Sequence, residues 1–503
     1  MADEVRDTGN DVGMQHDPRL EFFPDAELPG AVDDPDTAPS LIASGIVHRP
    51  LIADAVVVIP GIMGTELVDT SGERPRLLWG LRPGLLGTLW WGSAAAFERL
   101  KYDPDDSAIK PGRLLRKPAY APLFNGFEPY SELVEDLRKI VRHPGAVSEF
   151  GYDWRLPVRH NAELLAQAID QHLTWWRRFS ERPDAKVHLV AHSMGGLLCR
   201  ALSSISGAMD DVGVTTTLGT PFEGAAKAAV MLGSGEGSPL PALRMRELAR
   251  TLPGIYDLLP SYPCLEEGNE VRQLTVDDVV RIGGDRAIAE AAFADQARLG
   301  QVQIPNHRGV IGIAQPTICT ITVDHRDRVE GHGYTFRFDD DGAPVRRPEG
   351  VLRRELGLGD GTVPRMSAYV ENYQTLPQQH GALAQVAEAF EDVRDCLFNH
   401  RRSTRLAGGD LGLELPDDIC AGVGFEIGIS GVEGVTGFKI RVEEEVDDPR
   451  MGRDSIMLSA ERRDGRVVAP ALIHRPGLYR VALAGSGTSA VKQLILVADG
   501  GGR

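Results

Sequence analysis

The segment KVHLVAHSMGGLLCRAL, residues 186–202, constrains this chain more than any other. A short apolar run stops at a serine, and a second apolar run at helical spacing follows at once. A strand, a tight turn and a helix satisfy that order. A serine in such a turn is strained, so the residues two positions away on either side must be small. Ala191 and Gly195 meet that demand, and Gly196 permits close packing of the helix. Ala191 stands where the usual pattern has glycine. The turn lifts Ser193 Oγ above the sheet and aims the Met194 N–H at the place where an oxyanion would form.

The rest of the chain extends this unit. AVVVIPG (55–61) and VGVTTTLGTP (212–221) read as buried strands, and so does PTICTITVD (316–324). PYSELVEDLRKIV (129–141), NAELLAQAIDQHLTWWRRF (161–179, with Asn161 as N-cap) and ALAQVAEAFEDVRDCLF (382–398) read as helices. Strands alternating with helices predict an α/β fold with a mostly parallel sheet covered on both faces. Residues 1–50 are rich in Asp, Pro and Gly and are expected to be a disordered acidic arm. The α/β domain is expected over 51–408, with a Trp-rich insert at 72–120 and a lid at 225–265. From 409 to 503 short alternating runs such as GLYRVALAG are separated by turn residues, which predicts a small all-β, sandwich-like domain.

Charge and composition narrow the function. The formal net charge of −18 argues against nucleic acid as a partner, because phosphates would be repelled. The start, MADEVRDTGNDVGMQHDP, lacks the basic and apolar regions of a secretory signal. No apolar run approaches the ~18 residues that span a bilayer. Five scattered cysteines without a CxxC pair read as reduced thiols, and the expected location is cytoplasmic, with peripheral membrane contact. No metal-ligand spacing, P-loop or dinucleotide fingerprint is present, so neither a metal nor another cofactor is expected.

A serine nucleophile needs a base, and the base needs an orienting acid, in the order Ser, acid, His for this fold. Asp360 lies in the Gly-rich turn LGLGDGTVP, and His380 follows in QQHGALAQ. Competing bases are His325, His332 and His400, and the competing acid is Asp324. A second oxyanion donor is expected in IPGIMGTEL (59–67), where Gly61 and Gly64 let the Ile62 or Met63 N–H face the serine.

Five motifs in one order, PGIMGTEL, YDWRLP, AHSMGG, TLGTPFEG and GDGTVP, resemble the lecithin:cholesterol acyltransferase family of α/β-hydrolases over about residues 55–400. That family includes lysosomal phospholipase A2-like enzymes and phospholipid:diacylglycerol acyltransferases. The resemblance implies Ser193, Asp360 and His380 as the triad and Ile62 and Met194 as oxyanion donors. It implies a lipid or acyl-ester substrate, cleaved or transferred through an acyl-enzyme. Met63, Asp153, Trp154 and Phe222 fall near the implied acyl site, although Asp153 and Arg155 also read as a structural ion pair beside a large ring. Trp79, Trp90 and Trp91, with Leu85 and Leu86, fall where relatives carry a membrane-docking segment; the alternative is a flap on the protein's own core. The disulfide that staples this segment in secreted relatives is absent. Two other functions remain open at this point: an esterase or amidase acting on small soluble substrates, and a scaffold that recruits a protein partner through its C-terminal β domain.

Overall fold

A strand buried on both faces reads as an unbroken apolar run, and AVVVI (Ala55–Ile59, β1) is buried at every residue. In the computed structural model it lies inside a sheet of six parallel strands. The structure describes residues 51–80, 97–115, 130–236, 241–339, 341–399, 411–416, 419–432, 434–444, 455–485 and 490–498. The expected arm at 1–50, together with Leu85, Leu86, Trp90, Trp91 and His400, falls outside them. The other strands of the sheet are β2 (Val147–Glu149), β3 (Val187–His192), β4 (Val212–Leu218), β5 (His307–Gly312) and β6 (Tyr373–Leu376), in the order β6-β5-β4-β3-β1-β2. Every neighbouring pair is parallel. The order reverses between β1 and β3. In open α/β sheets a ligand site forms beyond the carboxyl ends of the strands at such a reversal.

Helices α1 (Ser131–Ile140), α2 (Val158–Phe179), α3 (Met194–Leu202), α4 (Ala226–Gly233) and α5 (Ala387–Leu397) pack apolar faces into the main core. Helix α2 starts three residues earlier than Asn161, which is buried in its first turn and donates Nδ2 to the Asp153 carbonyl at 2.9 Å. The N-terminal cap comes instead from another element: Asp257 Oδ2 accepts the Val158 N–H at 2.7 Å. The helix expected at 382–398 is split into a 3-10 turn, Gly381–Ala384, and α5.

One strand assignment changes. Of PTICTITVD, Thr320–Val323 is a strand, but it belongs to a separate four-stranded sheet with Val329–His332, Leu265–Glu267 and Glu270–Arg272. The places in the central sheet are taken by HRGVIG and YQTL, which carry too few apolar residues to read as buried strands. Arg76–Trp79 and Ile109–Leu114, near the two ends of the Trp-rich insert, pair antiparallel on either side of Thr65–Asp69 in a three-stranded sheet. Trp79 faces inward there. It is 2 % exposed, donates Nε1 to the Met63 carbonyl at 2.8 Å, and meets the Trp154 ring edge-on at 5.3 Å. This corrects the placement of Trp79 at a lipid interface: its indole N–H finds a backbone partner only by turning into the protein.

The C-terminal segment forms two further sheets. One runs Gly412–Glu414, Gly424–Ser430, Arg466–Leu472, Glu461–Arg463; the other runs Ile419–Cys420, Val491–Ala498, Gly477–Gly485, Phe438–Glu444, Ser455–Leu458. Ile427, Ile440, Val481 and Ile495 fill an apolar core of their own. No helix among the described residues is long and apolar enough to cross a membrane.

Candidate active site

Strand β3 ends at His192, and the chain turns sharply at Ser193, with φ 53° and ψ −126°. A non-glycine residue with positive φ is strained and persists only where its surroundings enforce it. The Ser193 N–H donates to the Leu218 carbonyl at the end of β4, at 2.9 Å. The loop after β1 presses on the other side: a Cβ on Gly61 would lie 2.8 Å from Ser193 Cβ. Glycine is therefore required at 61 by close approach.

Asp360 and His380 meet Ser193 from beyond β5 and β6. His380 Nε2 lies 2.8 Å from Ser193 Oγ, and His380 Nδ1 lies 2.7 Å from Asp360 Oδ2. Asp360 is 1 % exposed, and its Oδ1 accepts the N–H groups of Thr362 at 3.0 Å and Val363 at 2.7 Å. A carboxylate so held accepts the Nδ1–H, which leaves the Nε2 lone pair to accept the serine hydroxyl. Gly219, at φ 57°, gives this pair room: a Cβ there would lie 2.9 Å from Asp360 Oδ2. The competitors stand elsewhere. Asp324 pairs with Arg328 at 2.7 Å, His332 Nε2 bonds Thr322 Oγ1 at 2.8 Å, and His325 is exposed.

Ile62 and Met63 line a cavity of about 160 Å³ beside Ser193. Leu115, Met231, Ile255 and Leu258 make it mainly apolar, and Lys227 adds a cation. Among the described residues neither the Ile62 nor the Met194 N–H has a hydrogen-bond partner. The Gly61 N–H does, and this contact was not foreseen. It donates to Tyr130 Oη at 2.8 Å; Tyr130 Oη lies 2.8 Å from His192 Nδ1; and His192 Nε2 lies 3.0 Å from the His380 carbonyl. A carbonyl only accepts, so His192 donates from Nε2. Burial, with His380 alongside, pushes the His192 pKa down to about 3 and keeps the ring neutral. Its Nδ1 therefore accepts from the tyrosine hydroxyl. One chain of bonds thus runs from the Gly61 loop to the backbone of His380. The histidine directly before Ser193 was its only sequence signal; nothing local marked Tyr130.

The remaining predicted site residues among those described lie outside the lining of this cavity. Asp153 and Arg155 form a buried ion pair at 2.6 Å, and Trp154, fully buried, donates to the Thr65 carbonyl at 3.1 Å. Trp154 thus supports the Thr65 strand, while Arg155 reaches the Leu100 and Lys101 carbonyls. Phe222 lines a second, larger and more polar cavity of about 1360 Å³, under the Arg200 guanidinium at 4.4 Å from its ring centroid. Among the described residues no three His, Cys, Asp or Glu side chains gather as a metal site would require.

The six-stranded sheet with this elbow defines an α/β-hydrolase-type protein. Residues 122–285 match the family model described as lecithin:cholesterol acyltransferase. The match supports a lipid ester hydrolase or acyltransferase. It includes Ser193 but stops short of the Gly61 loop, Asp360 and His380. The chain is also similar to solved structures at low identity. The Tle4–Tli4 complex gives 16 % identity and a TM-score of 0.45 over 69 % of this chain and 97 % of that one. The mature lipase BlEst2 of Bacillus licheniformis gives 13 % and 0.32, over 70 % and 95 %. Phospholipase PlaB of Legionella pneumophila gives 10 % and 0.25, over 74 % and 88 %. None of the curated protein sequences matches the chain.

Proposed function

We propose that the protein is a serine-dependent lipid acyl hydrolase or O-acyltransferase. The observation that carries this is the unbroken contact Ser193 Oγ, His380, Asp360, at 2.8 and 2.7 Å, opening on an apolar cavity. His380 Nε2 takes the hydroxyl proton as Ser193 Oγ attacks an ester carbonyl. Asp360 holds the imidazolium that results. The Ile62 and Met194 N–H groups receive the oxyanion, and stabilisation of this kind is usually the largest single contribution to such a rate. His380 returns the proton to the leaving alcohol, and an acyl-enzyme remains. Water then completes hydrolysis, or a lipid alcohol completes transfer.

One observation favours a narrower substrate. About 160 Å³ lies below the ~300–1,000 Å³ usual for ligand pockets, which suits a short acyl group and the soluble-ester alternative. The deciding experiment incubates wild type and Ser193→Ala with mixed phospholipid vesicles, with and without a long-chain alcohol. Serine-dependent loss of phospholipid is expected, and an alcohol ester would identify the transferase. Turnover of short-chain esters alone, with vesicles untouched, would replace the lipid substrate by a soluble one.

A further inference from the structure

We infer that the C-terminal β-sheets hold the base, His380, in register with Ser193, through a buried clamp of three glutamines. The inference rests on the proposed role of His380.

The two residues directly before His380 reach different sheets. Gln378 is 1 % exposed; its Nε2 donates to the Ala490 carbonyl at 3.0 Å, and its Oε1 accepts the Lys492 N–H at 2.7 Å. That ties it to the start of the strand Val491–Ala498. Gln379 donates Nε2 to the Leu413 carbonyl at 2.7 Å and to Gln315 Oε1 at 3.1 Å. Gln315, fully buried, accepts the Leu413 N–H at 2.9 Å and donates to the Leu411 carbonyl at 3.0 Å. These bonds go to the strand Gly412–Glu414 of the other sheet and to the residue before it. Beyond the 3-10 turn that follows His380, Arg480 donates to Gln385 Oε1 at 3.3 Å. The segment carrying the base is therefore fastened to the C-terminal sheets on both sides.

The acid shares the clamp. The Gln315 backbone forms an isolated β-bridge with that of Asp360, and a Cβ on Gly361 would lie 2.3 Å from Gln379 Oε1. Buried amides leave little freedom, because each lost partner leaves a desolvated group unpaired. Three glutamines are a costly way to join two apolar surfaces. They are well suited to fixing a loop to a fraction of an ångström, the tolerance a proton-transfer geometry demands. A displacement of about 1 Å at such a site costs on the order of 100-fold in rate.

The test uses full-length protein. Gln378→Met and Gln379→Met keep side-chain length and remove the amides; Gln378→Glu is a milder variant that keeps the acceptor oxygen. Ile440→Ala, in the C-terminal core on the strand Phe438–Glu444, which carries none of the clamp's bonds, controls for lost stability. Each is assayed for kcat and KM on a short-chain ester, and for the rate at which a fluorophosphonate labels Ser193. We expect kcat and the labelling rate to fall about 10- to 100-fold in both methionine variants and less in Gln378→Glu. KM should stay within about twofold. Ile440→Ala should label at the wild-type rate while unfolding earlier. Wild-type labelling rates in folded glutamine variants would overturn the clamp alone. Failure of wild type to label at all would overturn the serine mechanism beneath it.

Discussion

Ser193, Gly61, Tyr130 and His192 work as one device at the residue scale. The strained serine needs a partner loop within van der Waals contact, and Gly61 supplies it without a side chain. Tyr130 then fixes that loop by accepting the Gly61 N–H at its hydroxyl oxygen and donating its O–H to His192 Nδ1. Tyr130→Phe preserves the ring and removes both bonds, so the Ile62 N–H loses its aim. We expect kcat on a short-chain ester to fall about tenfold or more with little change in KM, because an oxyanion contact is made only in the transition state. An unchanged kcat would show that the loop holds itself. His192 was legible as part of the elbow motif but not as a link in this chain, because a neutral buried histidine and a solvated one look alike in sequence.

Individual elements explain what could be read in advance and what could not. The elbow, β1 and β3 were legible because a strand buried on both faces has an unmistakable apolar run. Asp360 and His380 were legible through order and local texture. HRGVIG and YQTL were not, since β5 and β6 depend on neighbouring strands for their place rather than on their own hydrophobicity. The α2 cap was hidden for a similar reason: Asp257 is 99 residues from Val158. Trp79 illustrates the opposite error, in which a tryptophan-rich, glycine-broken stretch suggested a surface. The structure predicts that Trp79→Ala lowers unfolding stability by about 3–5 kcal/mol, as expected for a buried large-to-small change, and leaves vesicle affinity of the folded protein unaltered. Denaturant titration and vesicle co-sedimentation check this; weaker vesicle binding at full stability would return Trp79 to a lipid-facing role.

For the molecule as a whole, buried histidines set the response to acid. Burial lowers the pKa values of His172, His192 and His307, the last two to about 3 and about 4. Below the ordinary value near 6.5 the unfolded chain binds protons at these sites that the folded chain refuses, so their contribution to stability is lost as pH falls. Asp257 opposes them: burial raises its pKa to about 7, so the folded state gains its proton first and stability rises as pH falls from 7 towards 4. Asp257→Asn removes that opposition. Urea midpoints should therefore fall more steeply from pH 7 to pH 5 in the variant than in wild type; equal slopes would refute the assignment. The central claim, that Ser193 carries the acyl group between donor and acceptor, is tested most directly by trapping. Wild type and Ser193→Ala are quenched during turnover of an activated short-chain ester, and each is digested and mapped by mass. The account predicts one added acyl group on the peptide containing Ser193, absent from the variant, whose turnover collapses. An acyl group on another residue, or undiminished turnover by Ser193→Ala, would contradict it.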